Sequence, residues 1–221
     1  MAISLVHPIK RKIDTQYYFL LSSLEHFPSL MKEWENNQFA EHKKNARIIA
    51  EGDKEVEYSV MSNYHGDEYA SDVLCLFFNS LTIAIYSYYE SIIRDMAKDL
   101  FGSDINLKSS KLLDEVLARK KIELITEEKE LVTLFGKEYS SIRNQLCHNN
   151  NGTPNEKYLD LILNICKDNE GVDFFDGVLN ISSDMYPIKM LEDAHRLLLS
   201  LAKKFDYKTK MITNGDVIYI D

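Results

Sequence analysis

Glycine and proline are scarce in this sequence, with eight Gly and four Pro among 221 residues. Collagen-like repeats need Gly at about every third position and are therefore excluded. Tight turns also rely on these two residues, so their scarcity disfavours turn-rich all-β folds and favours long uninterrupted helices. Cysteine is also scarce, with only Cys75, Cys147 and Cys166. An odd number of cysteines at unrelated spacings excludes a disulfide scaffold, so we expect reduced thiols in a cytoplasmic protein.

Positive charge is in deficit, since 35 Asp and Glu outnumber 26 Lys and Arg and give a formal net charge of -9. This balance argues against broad electrostatic binding of nucleic acid, because affinity for phosphates comes mainly from Lys and Arg side chains that displace counterions. Three short basic clusters, at residues 10–12, 119–121 and 203–210, still allow a local anion site.

The longest apolar window, residues 73–93, is interrupted by polar side chains. It contains Asn79, Glu90 and several Ser and Thr residues, and it leads directly into Arg94 and Asp95. We therefore expect a core helix here, and no membrane partner. The N-terminus has its basic cluster after a short apolar stretch, which is the reverse of a secretory signal.

Apolar residues that recur every three or four positions predict two long helices. The first covers residues 13–50, and Pro28 is expected to kink it or divide it in two. A polar connector is expected from there to Gly66. The second helix covers residues 68–101, and because it is apolar on most sides we expect it at the centre of a bundle.

Shorter elements complete the predicted fold. Helices are expected over residues 109–120, 126–146, 156–167 and 187–205, with Thr126 as an N-cap and a strong helix stop at residues 149–154. Asp176-Gly177 and Asn214-Gly215 predict two short hairpins. The prediction is an all-α bundle of about five to seven helices with minor β-hairpin decoration. We expect a single domain over residues 1–221, with its core at about 10–205 and a C-terminal extension at 206–221.

Most enzyme signatures are missing: there is no glycine-rich phosphate loop, nucleophile elbow, His-Glu-x-x-His or Cys-x-x-Cys motif. One cluster of polar groups remains, in the segment Arg143-Asn144-Gln-Leu-Cys-His148. Asn144 and His148 are four residues apart, so they are neighbours on one helix face, where the amide can hold one imidazole nitrogen. Arg143 is about 140° around the axis from His148, so a long side chain or a second copy of the chain must unite them.

These groups suit phosphodiester chemistry without a metal ion. An imidazole titrates near neutrality and transfers protons, and a guanidinium binds a phosphate bidentately and stabilises developing negative charge. In RNA the 2′-hydroxyl is tethered beside its phosphate, so a base that removes its proton starts in-line attack. Arg143 and His148 are therefore the candidate catalytic residues, with Asn144 in a supporting role, and no cofactor is expected.

The segment from Arg143 to His148 resembles the R-x4-H motif of HEPN domains, including the polar residue that often follows the Arg. The resemblance implies a homodimer in which both protomers contribute to a composite site. It also implies metal-independent cleavage of RNA to 2′,3′-cyclic phosphate ends, by a toxin with a protein antitoxin or regulator, or by a phage-defence effector. Glu90-Ser-Ile-Ile-Arg94 looks like the acidic-x3-basic pattern of some HEPN families, so Glu90 is a further supporting candidate that could orient Arg143.

Three other interpretations of these residues remain open. Glu90 and Arg94 are spaced for an ordinary ion pair on one helix. Arg143 and His148 could simply be cations at the C-terminus of a helix in a non-catalytic binding or scaffolding module of the same fold. A zinc site is the third alternative, although its four candidate ligands match no common spacing: Cys147, His148, Cys166 and His195.

Overall fold

The computed structural model describes residues 3–102, 109–148, 156–213 and 216–220. Eight α-helices lie in these ranges: α1 (Pro8–Ala50), α2 (Lys54–Met61), α3 (Gly66–Phe101), α4 (Ser109–Lys120), α5 (Thr126–Leu134), α6 (Ser140–His148), α7 (Glu156–Asp168) and α8 (Met185–Lys204). A π-helical segment, Phe135–Tyr139, joins α5 to α6. The all-α class with minor β decoration is confirmed. The predicted helix stop at 149–154 lies outside the described residues.

Helix α3 is the central element, as its all-round apolar pattern predicted. It packs against α1, α4, α6, α8 and strand β3 (Val178–Ile181). Ile85 and Ile92 are fully buried along its length. One hydrophobic cluster extends from Ile9 in α1 to Tyr207 after α8 and includes residues of every helix except α2, so those helices share a single core.

Among the described residues, one stretch is long and apolar enough to cross a membrane by length and composition: Lys54–Phe101, which comprises α2 and α3. Its most apolar 18-residue window has a mean hydropathy of 1.4 and is 39% buried within the protein. The core helix of a soluble bundle meets the same criteria. Helix α3, which forms most of this stretch, packs against four other helices of the protein.

Helix α1 continues through Pro28, so of the two predicted effects of this proline, a kink or a division, the division does not occur. A proline inside a helix removes one hydrogen bond and costs about 3 kcal/mol. Packing on both sides of it opposes that cost: Ile13 and Leu24 are buried before Pro28, and Ala46 is buried after it. Helix α1 contacts α3 and α8, and it also contacts α2.

The predicted connector before Gly66 is in fact a helix, α2. Asp53 is its N-cap, and its carboxylate accepts a hydrogen bond of 2.9 Å from the Glu55 amide. Helix α2 has no buried residue, so it shows no apolar stripe that a periodicity search would detect. The Asp53 cap was the available signal.

The β decoration is larger than predicted. Strands β2 (Val172–Phe175) and β3 form the expected hairpin around Asp176-Gly177. The C-terminal strands β4 (Thr209–Thr213) and β5 (Asp216–Ile220) also pair, and the turn between them lies outside the described residues. A third strand, β1 (Ile3–Leu5), was not predicted, and it joins this sheet antiparallel to β4, with Ile3 opposite Ile212.

The helix predicted from residue 126 to 146 is three elements, α5, the π-helical segment and α6. Its N-cap is Ile125 and not Thr126. The Ile125 amide donates to the Glu128 carboxylate at 2.8 Å. A buried acid in the first turn therefore pairs with a backbone N–H that has no partner within the helix. This local bond fixes the start of the helix one residue earlier than the sequence pattern indicated.

Candidate functional site

Helix α6 divides its side chains between the core and solvent. Ile142 and Leu146 are buried and anchor the helix, together with Gln145. The helix contacts α3, α7, β3 and the π-helical segment through this side. Arg143 is half-buried at the edge of the packed face, whereas Asn144, Cys147 and His148 are exposed. The two candidate catalytic side chains therefore lie at the surface end of a helix whose position the core determines.

The Arg143 guanidinium is held by three neighbours. Its Nη2 lies 3.7 Å from Glu90 Oε2, and its Nη1 donates to Asn144 Oδ1 at 2.8 Å. Its Cζ lies 5.6 Å from the ring centroid of Tyr86, within range of a cation–π interaction. Its buried Nε has no hydrogen-bond partner among the described residues. With 27% of the side chain exposed, the guanidinium is oriented and still accessible.

Glu90 and Tyr86 reach Arg143 from the central helix. They are four residues apart on α3, so they project from one face, and that face meets α6. The Glu90 side chain is only 21% exposed, which strengthens its attraction to the guanidinium relative to a solvated pair. The structure thus brings together two of the sequence candidates, Arg143 and Glu90, from distant parts of the chain.

His148 is the last residue of α6, and its side chain is exposed. The Asn144 amide oxygen accepts from Arg143, and in the described part of the chain no hydrogen bond joins Asn144 to His148. Within one chain the supporting residues Asn144 and Glu90 therefore surround Arg143, and His148 stands apart from them.

Tyr86 and the π-helical segment were not predicted from the sequence. The Tyr86 hydroxyl lies 3.5 Å from the Phe135 carbonyl oxygen, in the first turn of that segment. Single-turn π-helices occur frequently at functional sites because the extra residue redirects the following helix. Burial, with a smaller contribution from the Glu90 carboxylate, raises the pKa of Tyr86 to about 12, so its hydroxyl remains protonated at neutral pH.

The raised pKa of Tyr86 predicts a loss of stability at alkaline pH. Its pKa in the folded state exceeds the ordinary value of 10.0, so the stabilisation is complete below about pH 10 and is lost as pH rises towards 12. In urea unfolding, the free energy of unfolding of Tyr86→Phe should fall less steeply above pH 10 than that of the wild type. The exposed Tyr58 provides the control, and Tyr58→Phe should follow the wild type. Identical curves for wild type and Tyr86→Phe would show that Tyr86 does not cause the loss of stability at alkaline pH.

The zinc alternative finds no support in the described ranges, which hold no group of three or more His, Cys, Asp or Glu side chains placed to share a metal ion. His195, one of its four candidate ligands, has other neighbours. Its Nε2 lies 3.2 Å from Asp14 Oδ1, and its ring stacks on Tyr17 with centroids 3.8 Å apart. These contacts give His195 a structural role between α8 and α1.

Comparisons with protein-family models, with curated proteins and with solved structures found no match. The resemblance to HEPN domains therefore depends on the Arg143 to His148 motif and on its place in a helical bundle.

Proposed function

We propose that this protein is a metal-independent endoribonuclease of the HEPN type, acting as a cytoplasmic homodimer in a toxin or phage-defence role. One observation supports this most: Arg143 is oriented by Glu90, Asn144 and Tyr86 and yet remains accessible, and the exposed His148 lies five residues further along the same helix. A cation that served only to cap a helix would not need partners on two helices. An oriented guanidinium is what binding of a phosphate requires.

In the proposed reaction, Arg143 binds the scissile phosphate and neutralises the charge that develops on its oxygens. His148 removes the proton of the 2′-hydroxyl, whose oxygen attacks phosphorus in line with the leaving group. The P–O5′ bond breaks, and a second, protonated imidazole donates its proton to the O5′ oxygen. The products are a 2′,3′-cyclic phosphate and a 5′-hydroxyl, with atoms and charge balanced and no metal ion in the sequence of steps.

A second copy of the chain would supply that second imidazole. Within one chain Arg143 and His148 point in different directions from α6, and the amide of Asn144 is bound to Arg143. The exposed end of α6, with Asn144, Cys147 and His148, is free of core packing. A symmetric dimer that pairs two such ends gathers two guanidinium and two imidazole groups in one cleft, and the partner's His148 then acts as the acid.

The acidic character of the chain bears on substrate choice. With a net charge of -9, the protein has little general attraction for polyanions, so affinity must come from local groups near Arg143. Lys137 in the π-helical segment is an exposed cation close to that site. We therefore expect cleavage of particular RNAs rather than indiscriminate degradation.

The test is incubation of the purified protein with a mixture of cellular RNAs in EDTA. One RNA from the mixture is then tested beside DNA of the same sequence and beside the same RNA with 2′-O-methyl groups. We expect cleavage of the unmodified RNA only, because the other two substrates lack the attacking hydroxyl. Cleavage of DNA would exclude the 2′-hydroxyl mechanism. Failure to cut any substrate would favour a non-catalytic binding or scaffolding module.

Glu90→Gln is expected to slow RNA cleavage by about two- to fivefold, because a partly exposed ion pair contributes up to about 1 kcal/mol and about 1.4 kcal/mol corresponds to a tenfold change in rate. The amide keeps the shape of the carboxylate but removes the charge that orients Arg143. Glu57→Gln is the matched control, since Glu57 pairs with Arg47 at 3.3 Å, between α1 and α2, and should not affect cleavage. Steady-state kinetics on one cleaved RNA would measure both. Equal rates for Glu90→Gln and the wild type would show that Glu90 does not position Arg143.

A further inference from the structure

A cavity of about 280 Å³ opens beside the Glu90–Arg143 pair. It lies among α3, α4, α5 and the π-helical segment, and it shares Tyr86 and Glu90 with the site around Arg143. Its size is close to the lower limit for pockets that bind small organic ligands. A group of the size of a single nucleoside therefore suits it better than a longer chain.

The cavity has an aromatic and aliphatic wall with a few polar groups. Tyr86 and Tyr89 supply the aromatic surface, and Leu112 and Ile93 supply aliphatic surface. The Phe135 ring is 1% exposed and stacks on Tyr89, so it supports this wall from behind. Aromatic side chains bind nucleobases through contacts with their rings. A planar heterocycle is the ligand class that this wall fits.

The polar groups of the cavity determine which hydrogen-bond donors and acceptors the edge of that heterocycle must carry. Glu90 and Asp114 present carboxylates, which accept hydrogen bonds, and Lys137 presents an ammonium, which donates them. Two carboxylates against one ammonium repel a phosphate, so the cavity is not a second phosphate site. A base with adjacent N–H donors and also carbonyl and ring-nitrogen acceptors matches this set, and among the four RNA bases that is guanine.

We infer that this cavity binds a guanine base of the RNA next to the phosphate held by Arg143. The inference rests on the proposed function, because it assigns the base-recognition site of that same reaction. Asp114 accepts from the N1 and N2 donors of the guanine, and Lys137 donates to its O6 or N7 acceptors. The cleaved bond is then selected by the neighbouring base.

Gly136 provides a way to fill the cavity without disturbing the core. It lines the cavity and is exposed, and a Cβ added to it meets no atom within 4 Å. Gly136→Leu should therefore occupy the opening, and Gly136→Ala is its matched control because it makes the same backbone change with a much smaller side chain. Asp114→Asn removes one acceptor, and Glu115→Gln is its control on the adjacent residue of α4.

The first part of the experiment measures binding of guanosine, adenosine, cytidine and uridine to the full chain by saturation-transfer NMR. Nucleosides carry no phosphate, so this readout does not depend on Arg143 or on cleavage. Guanosine is expected to bind at least about fivefold more tightly than uridine. Gly136→Leu should abolish that binding, Asp114→Asn should remove the preference, and Gly136→Ala and Glu115→Gln should preserve both.

The second part maps the cleavage sites of wild type and Gly136→Leu on one RNA. The wild type should cut beside guanines, and the leucine variant should lose that preference. Guanosine binding without any RNA cleavage would leave the cavity assignment standing and overturn the proposed nuclease function. Cleavage whose site preference is unchanged in Gly136→Leu, with no nucleoside binding, would overturn the cavity assignment and leave the nuclease. A preference for another base that Gly136→Leu removes would overturn the choice of guanine.

Discussion

Replacing His148 with lysine is expected to lower the rate of RNA cleavage by about 10²- to 10⁴-fold, the usual contribution of a general acid–base group. Lysine keeps a positive charge at the C-terminus of α6, where a cation contributes about 0.3 to 1 kcal/mol through the helix dipole. It remains protonated near neutral pH and cannot act as the base. The melting temperature should be unchanged, because the His148 side chain is exposed.

An exposed histidine away from the site provides the control for this substitution. His26 lies in α1 and is exposed, and His26→Lys should leave both cleavage and stability unchanged. His148→Lys therefore separates the two interpretations of the motif. Full activity in the lysine variant would show that His148 is only a cation at a helix end.

Replacing Phe135 with alanine should lower the free energy of unfolding by about 3 to 5 kcal/mol, the usual cost of truncating a buried aromatic side chain. Phe135 is 1% exposed, and its ring centroid lies 4.1 Å from that of Tyr89 and 4.8 Å from that of Tyr139. It fixes the π-helical segment to α3, and through that segment it sets the direction of α6. Urea unfolding of the variant measures the loss.

A surface phenylalanine is the reference for this measurement. Phe175 is 83% exposed at the end of β2, and Phe175→Ala should change the free energy of unfolding by no more than about 0.5 kcal/mol. If Phe135→Ala cost less than about 1 kcal/mol, the π-helical segment would not be anchored in the core as described.

The elements with strong apolar patterns were predictable from the sequence. Helices α3 and α8 each bury a face along many residues, and the β2–β3 hairpin has a turn dipeptide between two apolar runs. In each case the local sequence and the final packing favour the same structure. The central position of α3 also followed directly from its composition.

The elements that were missed lack such agreement. Helix α2 buries no residue, so only its Asp53 cap marks it. Strand β1 has three residues and exists through pairing with β4 at the other end of the chain. A strand of that length has no detectable period of its own, and its partner is too distant in sequence for a local pattern to identify.

The candidate site was predictable in its residues but not in its arrangement. The spacing of Arg143 and His148 identified the motif, and Glu90 was selected by its position relative to Arg94. The Glu90–Arg143 contact depends on how α3 and α6 pack. Tyr86 and the cavity depend on the π-helical segment, and a single extra residue in a helical turn leaves little trace in an apolar pattern.

If Arg143 and His148 cleave RNA without a metal ion, a chelator should not stop the wild type, and loss of either side chain should. Wild type, Arg143→Ala and His148→Ala are incubated with RNA in EDTA, and the ends of the fragments are identified by mass spectrometry. We expect fragments from the wild type alone, with 2′,3′-cyclic phosphates and 5′-hydroxyls. Fragments with 5′-phosphates, or equal cleavage by all three proteins, would contradict it.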